Sequence, residues 1–237
     1  MKTAIVTGAT RGIGKAIALK LAALKYNLVV VARDENQLST LKQSIEKLNV
    51  SCLPIALDLS EATAPDFIVR EAVKHFGSIN VLVNNAGIAH SASISETDMK
   101  TWDAILKINA RAPFFLCKAA VPELKKCENP VIINISSVVG FKGYVGQAAY
   151  SASKHALMGF SKVLAKEVQN DGIKVHVISP GGVNTEMVQH MRPDINTGDL
   201  IQVDEIAELV AFLITRKGKG TIDHLYIRRQ NSTAFDL

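Results

Sequence analysis

Short, largely apolar runs punctuate the chain at Thr3–Thr7, Leu28–Val31, Cys52–Leu57, Val81–Asn84, Val131–Ile135, Val175–Ser179 and Thr221–Ile227. None of them alternates cleanly between polar and apolar residues. A strand wetted on one face alternates with period two, so these runs predict strands covered on both faces, as in a parallel sheet. Between them the apolar spacing becomes that of a helix. Glu35–Leu48 shows this best, with Leu38, Leu41, Ile45 and Leu48 on one stripe. A helical run, Lys15–Leu24, follows the first strand, and another begins near Val203. Regular alternation of strand and helix predicts an α/β fold, a doubly wound parallel sheet of about seven strands with right-handed crossovers and helices on both faces. No repeat, low-complexity tract or linker interrupts it, so the 237 residues read as a single domain, 1–237.

Composition narrows the picture by exclusion. Hydrophobic residues make up 48% and charged residues 21%, which excludes extended disorder. The charge balance is 27 − 22 = +5, with aromatics at 5% and no run of five Lys or Arg. No basic stripe or base-stacking surface is expected, and hence no nucleic-acid partner. Cys52, Cys117 and Cys127 form no C-x-x-C pair and read as reduced thiols of a cytoplasmic protein. The six histidines form no ligand pair, so no metal is expected. No apolar run approaches the length of a membrane span, and the apolar part of Met1–Gly8 is too short for a signal peptide.

The candidate chemistry begins where the first strand ends, at Thr7-Gly8-Ala9-Thr10-Arg11-Gly12-Ile13-Gly14. Gly8 allows a sharp turn, Gly12 leaves room for backbone to approach a pyrophosphate, and Gly14 lets helix and sheet pack closely. The helix N-terminus behind them favours an anion. At the tip of the second strand stand Ala32, Arg33 and Asp34. An acid at the tip would suit an NAD ribose. Ala32 there, with Arg11 and Arg33 within reach, suits a 2′-phosphate and predicts NADP(H). The alternative leaves Arg33 solvated and gives the ribose to Asp34. Asp58 and Leu59, after the third strand, are candidates for the adenine edge, or Asp58 is a plain helix cap.

A second cluster follows the fourth and fifth strands. Asn84-Asn85-Ala86-Gly87 offers small residues against which a cofactor can lie, and Asn109 falls on a predicted long helix. Ser137 precedes Tyr150 by thirteen residues, and Lys154 lies one helical turn beyond Tyr150 on the same face. A phenol is a poor acid–base group at neutral pH. A neighbouring ammonium favours the phenolate and brings its working pKa toward neutrality.

In order and spacing, Thr7-Gly8-x-x-x-Gly12-x-Gly14, Asn84-Asn85-Ala86-Gly87, Asn109, Ser137, Tyr150-x-x-x-Lys154 and Pro180-Gly181-x-x-x-Thr185 resemble the short-chain dehydrogenase/reductase family. Within it they are similar to the bacterial 3-oxoacyl-acyl-carrier-protein reductases. The likeness spans roughly residues 3 to 215. It implies a Rossmann-type sheet and hydride transfer between a nicotinamide and a carbonyl carbon. It also implies that Tyr150 donates the proton, Lys154 holds the ribose and tunes Tyr150, and Ser137 orients the substrate. Asn109 would anchor a water leading to Lys154, and Pro180–Thr185, with Val183 and Thr185, would cover the nicotinamide. The partners implied are a small carbonyl substrate, an acyl carrier protein, and a second copy of the chain in a homodimer or homotetramer joined through the helix bearing Tyr150.

Two features depart from the pattern. The stretch between Thr185 and Val203 is short for a substrate lid, which predicts an open site with loose selectivity on small ketones or diketones. The tail Tyr226–Phe235 lacks the Gly-Gly usual after the last strand, which puts the oligomer in question. The competing reading is a cofactor-binding sensor without turnover. The presence of Asn109, Ser137, Tyr150 and Lys154 together argues against it.

Overall fold

The computed structural model describes residues 1–191 and 194–234. Arg192 and Pro193 of the expected lid, and Phe235 of the tail, lie outside the described residues. The apolar runs become β1 (Thr3–Thr7), β2 (Asn27–Ala32), β3 (Cys52–Ala56), β4 (Val81–Asn84), β5 (Val131–Ile135), β6 (Lys174–Pro180) and β7 (His224–Ile227). They form one sheet of order β3-β2-β1-β4-β5-β6-β7, parallel at every pairing. Every residue of β1 and of β5 is buried. Successive side chains of these strands feed opposite cores, because the pleat alternates them. Leu28 and Val30 join Ala4 and Val6 on one face, while Val29 and Val31 join Ile5 on the other.

The connecting helices are α1 (Gly12–Ala23), α2 (Glu35–Glu46), α3 (Ala64–Phe76), α4 (Met99–Leu106), α5 (Ala112–Leu124), α6 (Ala148–Val168), α7 (Glu186–Met191) and α8 (Val203–Thr215). Residues of α1, α2 and α8 pack into the first core, and residues of α3, α5 and α6 into the second. Several boundaries differ from the sequence reading by one to three residues; β2 and β6 each run one residue further at both ends, and α1 spans Gly12–Ala23 rather than Lys15–Leu24. The second helix stops at Glu46 rather than Leu48, because Asn49 takes the left-handed conformation at φ 59°. The third strand stops at Ala56. The last strand starts at His224 rather than Thr221, where its pairing with Val177 of β6 begins. The long helix expected around Asn109 is continuous from Met99 to Leu124 but carries a π-helical turn at Lys107–Arg111.

From β1 the chain winds outward to β2 and β3, then returns to β4 on the other side and winds outward again to β7. The order reverses between β1 and β4. In open parallel sheets the crevice beyond the carboxyl ends of the strands at such a reversal is where ligands settle.

Candidate active site

A cleft of about 1890 Å³ opens at that reversal. Drug-sized pockets run to roughly 1,000 Å³, so this one has room for a dinucleotide and a second molecule. Its floor is the turn from β1 into α1. Gly8 sits at φ +62°, and a Cβ there would lie 2.8 Å from the Ala86 Cα. A Cβ on Gly14 would collide with the Gly8 carbonyl oxygen and the Asn85 amide. Gly12, at φ +52°, faces the Thr185 methyl, so the segment after β6 crosses close above the turn. Helix α1 starts without a side-chain cap, and Gly12 and Ile13 line the cleft. The free N–H groups of a helix's first turn are anion ligands. Backbone stripped of Cβ atoms beside a helix N-terminus fits a dinucleotide pyrophosphate.

Thr7 locks this floor to the next strand. Its hydroxyl accepts from the backbone N–H groups of Asn85 (3.0 Å) and Ala86 (3.1 Å). The Asn85 side chain donates to the carbonyls of Thr7 (2.9 Å) and Gly8 (3.1 Å). Asn84 is turned the other way and donates to Asn134 Oδ1 at 2.8 Å, inside the sheet. Of the Asn84–Gly87 stretch, Asn85, Ala86 and Gly87 line the cleft.

At the β2 tip Ala32, Arg33 and Asp34 line the cleft. Asp34 caps α2 by accepting from the Gln37 N–H at 3.0 Å, so its carboxylate is already engaged. Arg33 is exposed. Arg11 does not join it here. It forms a 2.6 Å ion pair with Glu186 of α7, tying the glycine turn to the lid segment. Both side chains are mostly exposed, and such pairs contribute little, about 0–1 kcal/mol. Thr10 and Thr185 also line the cleft. Asp58 accepts from the Ser60 N–H at 2.7 Å. That bond, with Ser60's hydroxyl and the nearby Arg33 cation, holds its carboxyl below the usual range. It is a local turn-former beside Leu59, and both line the cleft.

The second cluster gathers around the end of β5. Ser137, Tyr150 and Lys154 line the same cleft. Burial pushes the Tyr150 phenol up to about 12, against the pull of a hydrogen bond from the Ser137 side chain. Burial draws the Lys154 ammonium down to about 8. Its Nζ lies 5.9 Å from the Tyr150 ring centre and donates to the Ile135 carbonyl at 2.8 Å. Asn109 stands behind this group. Its carboxamide accepts from the Ile88 N–H at 2.9 Å and donates to the Ile88 carbonyl at 2.8 Å and to Ser153 Oγ at 3.0 Å. Ser153 in turn donates to the Tyr150 carbonyl at 2.7 Å. The π-helical turn places Asn109 where one carboxamide can clamp both the loop after β4 and the first turns of α6.

The model of the short chain dehydrogenase family matches residues 2–196. The chain belongs to the short-chain dehydrogenase family. It is therefore an oxidoreductase interconverting CH–OH and C=O groups with a nicotinamide cofactor. It is 37% identical over 220 residues to the 3-oxoacyl-[acyl-carrier-protein] reductase FabG of Escherichia coli, covering 90% of this chain and 89% of that protein. It is 34% identical over 227 residues to FabG of Staphylococcus aureus, covering 92% of each. The structure of a metagenomic short-chain oxidoreductase in complex with NADP superposes with a TM-score of 0.85 at 33% identity, covering 96% of this chain and 97% of that one.

The dehydrogenase brings Pro180, Gly181, Val183 and Thr185 to the cleft wall. Val183 is itself buried and pairs its backbone with Ile201, which ties the two ends of the lid segment together. Two elements of the site were not read from sequence. Thr7 as the node between the turns hides inside an apolar strand. The tail was read only as a departure at the oligomer, whereas Tyr226, Arg228, Arg229 and Ser232 form part of the cleft wall. Their signal was the pair Arg228-Arg229 in the tail that departs from the pattern the resemblance implies. No helix among the described residues is long and apolar enough to cross a membrane, and among them no three His, Cys, Asp or Glu side chains gather into a metal site.

Proposed function

We propose that this dehydrogenase is an NADPH-dependent carbonyl reductase in which Tyr150, Lys154, Ser137 and Asn109 carry the chemistry. The observation that carries the reading is the Tyr150–Lys154 pair. The half-buried Tyr150, whose phenol feels the Ser137 side chain, stands one turn from the buried Lys154 ammonium, in the cleft that also holds the glycine cradle. When bound, the dinucleotide supplies the hydride that reaches the carbonyl carbon. Gly8, Gly12, Ile13, Gly14, Thr10, Asn85, Ala86 and Gly87 would hold it along the backbone, and Pro180, Gly181, Val183 and Thr185 would cover its reactive end.

The protein's own groups handle the proton. Tyr150, protonated at neutral pH, gives its proton to the carbonyl oxygen as negative charge develops there. Ser137 donates a second hydrogen bond to the same oxygen and fixes it beside the phenol. Lys154 keeps a positive charge beside the phenolate that results, which lowers the cost of forming it. One of its N–H groups is anchored on Ile135, and the others would be left to hold the ribose of a bound dinucleotide. Asn109 holds the Ile88 loop. A cavity of about 10 Å³ lined by both Asn109 and Lys154 is the size of one water, which suits a proton path reaching Lys154 from behind.

Arg33 supports the choice of NADPH. It is the cation at the β2 tip, Ala32 offers no competing acid, and the NADP-bound relative shares the fold. The substrate is a small ketone, a diketone or a 3-oxoacyl thioester. The short lid, α7 and one turn at Thr197–Asp199, favours the small ketones. The 34–37% identity to FabG favours the thioester, with an acyl carrier protein as partner. Steady-state NADPH oxidation with acetylacetone, butanedione and acetoacetyl thioesters, with and without carrier protein, tests the reading. Turnover that needs Tyr150 is expected, and absence of NADPH oxidation with all of them overturns it.

A further inference from the structure

The C-terminal tail turns back on itself immediately after β7, and two consecutive arginines do different work in that turn. Arg228 is spent internally. Its guanidinium donates to the carbonyls of Arg229 (3.0 Å), Gln230 (2.9 Å) and Ser232 (2.7 Å). Ser232 closes the same turn by donating its N–H (3.0 Å) and its hydroxyl (2.8 Å) to the Arg229 carbonyl. The turn is seated on the sheet by the Gly181 N–H, which donates to the Ile227 carbonyl at 2.7 Å. Upstream, Tyr226 meets Phe141 edge to face, with ring centres 5.4 Å apart. Phe141 follows the turn that begins at Ser137. The tail is thus fastened to the Ser137 side of the cleft.

Arg229 is the residue that this turn presents. Its stem lies over Gly182, so that a Cβ placed on Gly182 would be 3.4 Å from the Arg229 Cδ and 3.8 Å from its Nε. The side chain lines the cleft and is partly buried. Among the described residues no carboxylate pairs with it, and no protein acceptor is recorded for its guanidinium. A partly buried cation held by its stem, with none of its five donors spent on a described residue, is a ready anion ligand. Its place in the sheet says whose anion. The phosphate cradle stands on β1 and Arg33 on β2, whereas Arg229 follows β7, four strands beyond β1 and five beyond β2 in the sheet order. At roughly 4.8 Å per strand, it stands beyond the reacting residues at β5, at the substrate end.

We propose that Arg229 forms an anion subsite for the carbonyl substrate, so that the enzyme prefers ketones carrying a carboxylate, oxo acids, over their uncharged esters. The inference rests on the carbonyl-reductase reading but is tested separately from it by equilibrium binding. The affinity of the protein–NADP⁺ complex for acetoacetate and for methyl acetoacetate is measured by calorimetry, in the wild type and in Arg229→Gln. The acid is expected to bind about tenfold or more tightly than the ester, as a charge-assisted bidentate pair provides. Arg229→Gln should bring that ratio close to one, and Arg229→Lys should restore part of it. Equal binding of acid and ester by the wild type, or a preference that survives in Arg229→Gln, overturns the proposal. So does a loss of NADP⁺ affinity in Arg229→Gln with the ratio unchanged, since the guanidinium would then serve the dinucleotide. If no carbonyl compound of the reductase test is turned over, the reductase reading falls while the binding ratio still decides the subsite.

Discussion

Lys154 is only 4% exposed, and its position fixes two measurable quantities. Its pKa falls from 10.5 in the unfolded chain to about 8 in the folded one, because burial penalises the charged form. Below pH 8 both states carry the proton, and the fold bears the full cost, on the order of 3 kcal/mol. Between pH 8 and 10.5 the folded state releases the proton first, and the cost disappears. The stability of the wild type relative to Lys154→Met is therefore expected to rise across that window, read as the difference in Tm at each pH. The raised phenol of Tyr150 is common to both proteins and cancels. A difference that stays flat from pH 7 to 10 would show that the ammonium is solvated. For Tyr150 itself the prediction concerns rate. Tyr150→Phe keeps the ring and removes only the proton donor. Turnover should fall by roughly 10³-fold or more, within the range for losing general acid catalysis together with its positioning. NADPH affinity, measured by fluorescence titration, should stay within about threefold. A variant retaining a tenth of wild-type turnover would remove Tyr150 from the chemistry.

At the scale of elements, the turn from β1 into α1 has the least tolerance. A Cβ on Gly14 points at the Gly8 carbonyl and the Asn85 amide. Neither can swing away without breaking the bonds that join Thr7 to the loop after β4. Gly14→Ala should cost about 1–3 kcal/mol, roughly 2–12 °C in Tm, and should weaken NADPH binding far more than a Gly143→Ala control, where a Cβ meets nothing. Equal effects from the two would place the cofactor elsewhere. This turn, the seven strands and the Tyr150–Lys154 pair were legible in the sequence because each rests on local spacing: an apolar run, glycines at fixed offsets, a helical repeat of four. The π-helical turn at Asn109 was not legible. It inserts one residue into the hydrogen-bond ladder of an otherwise continuous helix, and no residue type marks such an insertion in the sequence. Nor was the pairing of Arg11 with Glu186, residues 175 apart in the chain that meet only because the lid segment folds back over the glycine turn. That pairing shifts the expected 2′-phosphate contact onto Arg33. Arg33→Ala should therefore lower kcat/KM with NADPH by about tenfold or more and leave NADH kinetics within about twofold. An unmodified protein that uses both cofactors equally would sink the NADPH assignment.

Over the whole molecule, the two faces of the sheet are covered, yet one outer surface is not polar. Phe114 and Phe115 on α5 are 47% and 43% exposed, and Val163 on α6 is 55% exposed. The Phe114 ring also meets Phe160 of α6 edge to face, with centres 5.6 Å apart. The four side chains span two adjacent helices and form one apolar patch beside, but outside, the face of α6 that carries Tyr150 and Lys154. Contiguous apolar surface of this kind is uncommon on a monomer. Covering each half-exposed ring is worth about 2 kcal/mol at 25 cal/mol per Å². A two-fold contact covers each ring once in both copies, because the same patch serves both partners. The energy per patch thus counts double in a dimer, and α6 carries Tyr150 and Lys154 from within that contact. The expected consequence is a homodimer or homotetramer built through α5 and α6. Sedimentation equilibrium should show an oligomer for the wild type at micromolar concentration. Phe114→Glu combined with Val163→Glu should shift it to a monomer, since the glutamates would face their own copies across the axis. Neither residue has a core partner on the sheet, so the far-ultraviolet circular dichroism of the variant should remain native. A wild-type chain that sediments as a monomer, or a double variant that still assembles, would refute this interface. If the monomer also loses turnover with its cofactor affinity kept, the contact is what holds the first turns of α6 in register with Ser137.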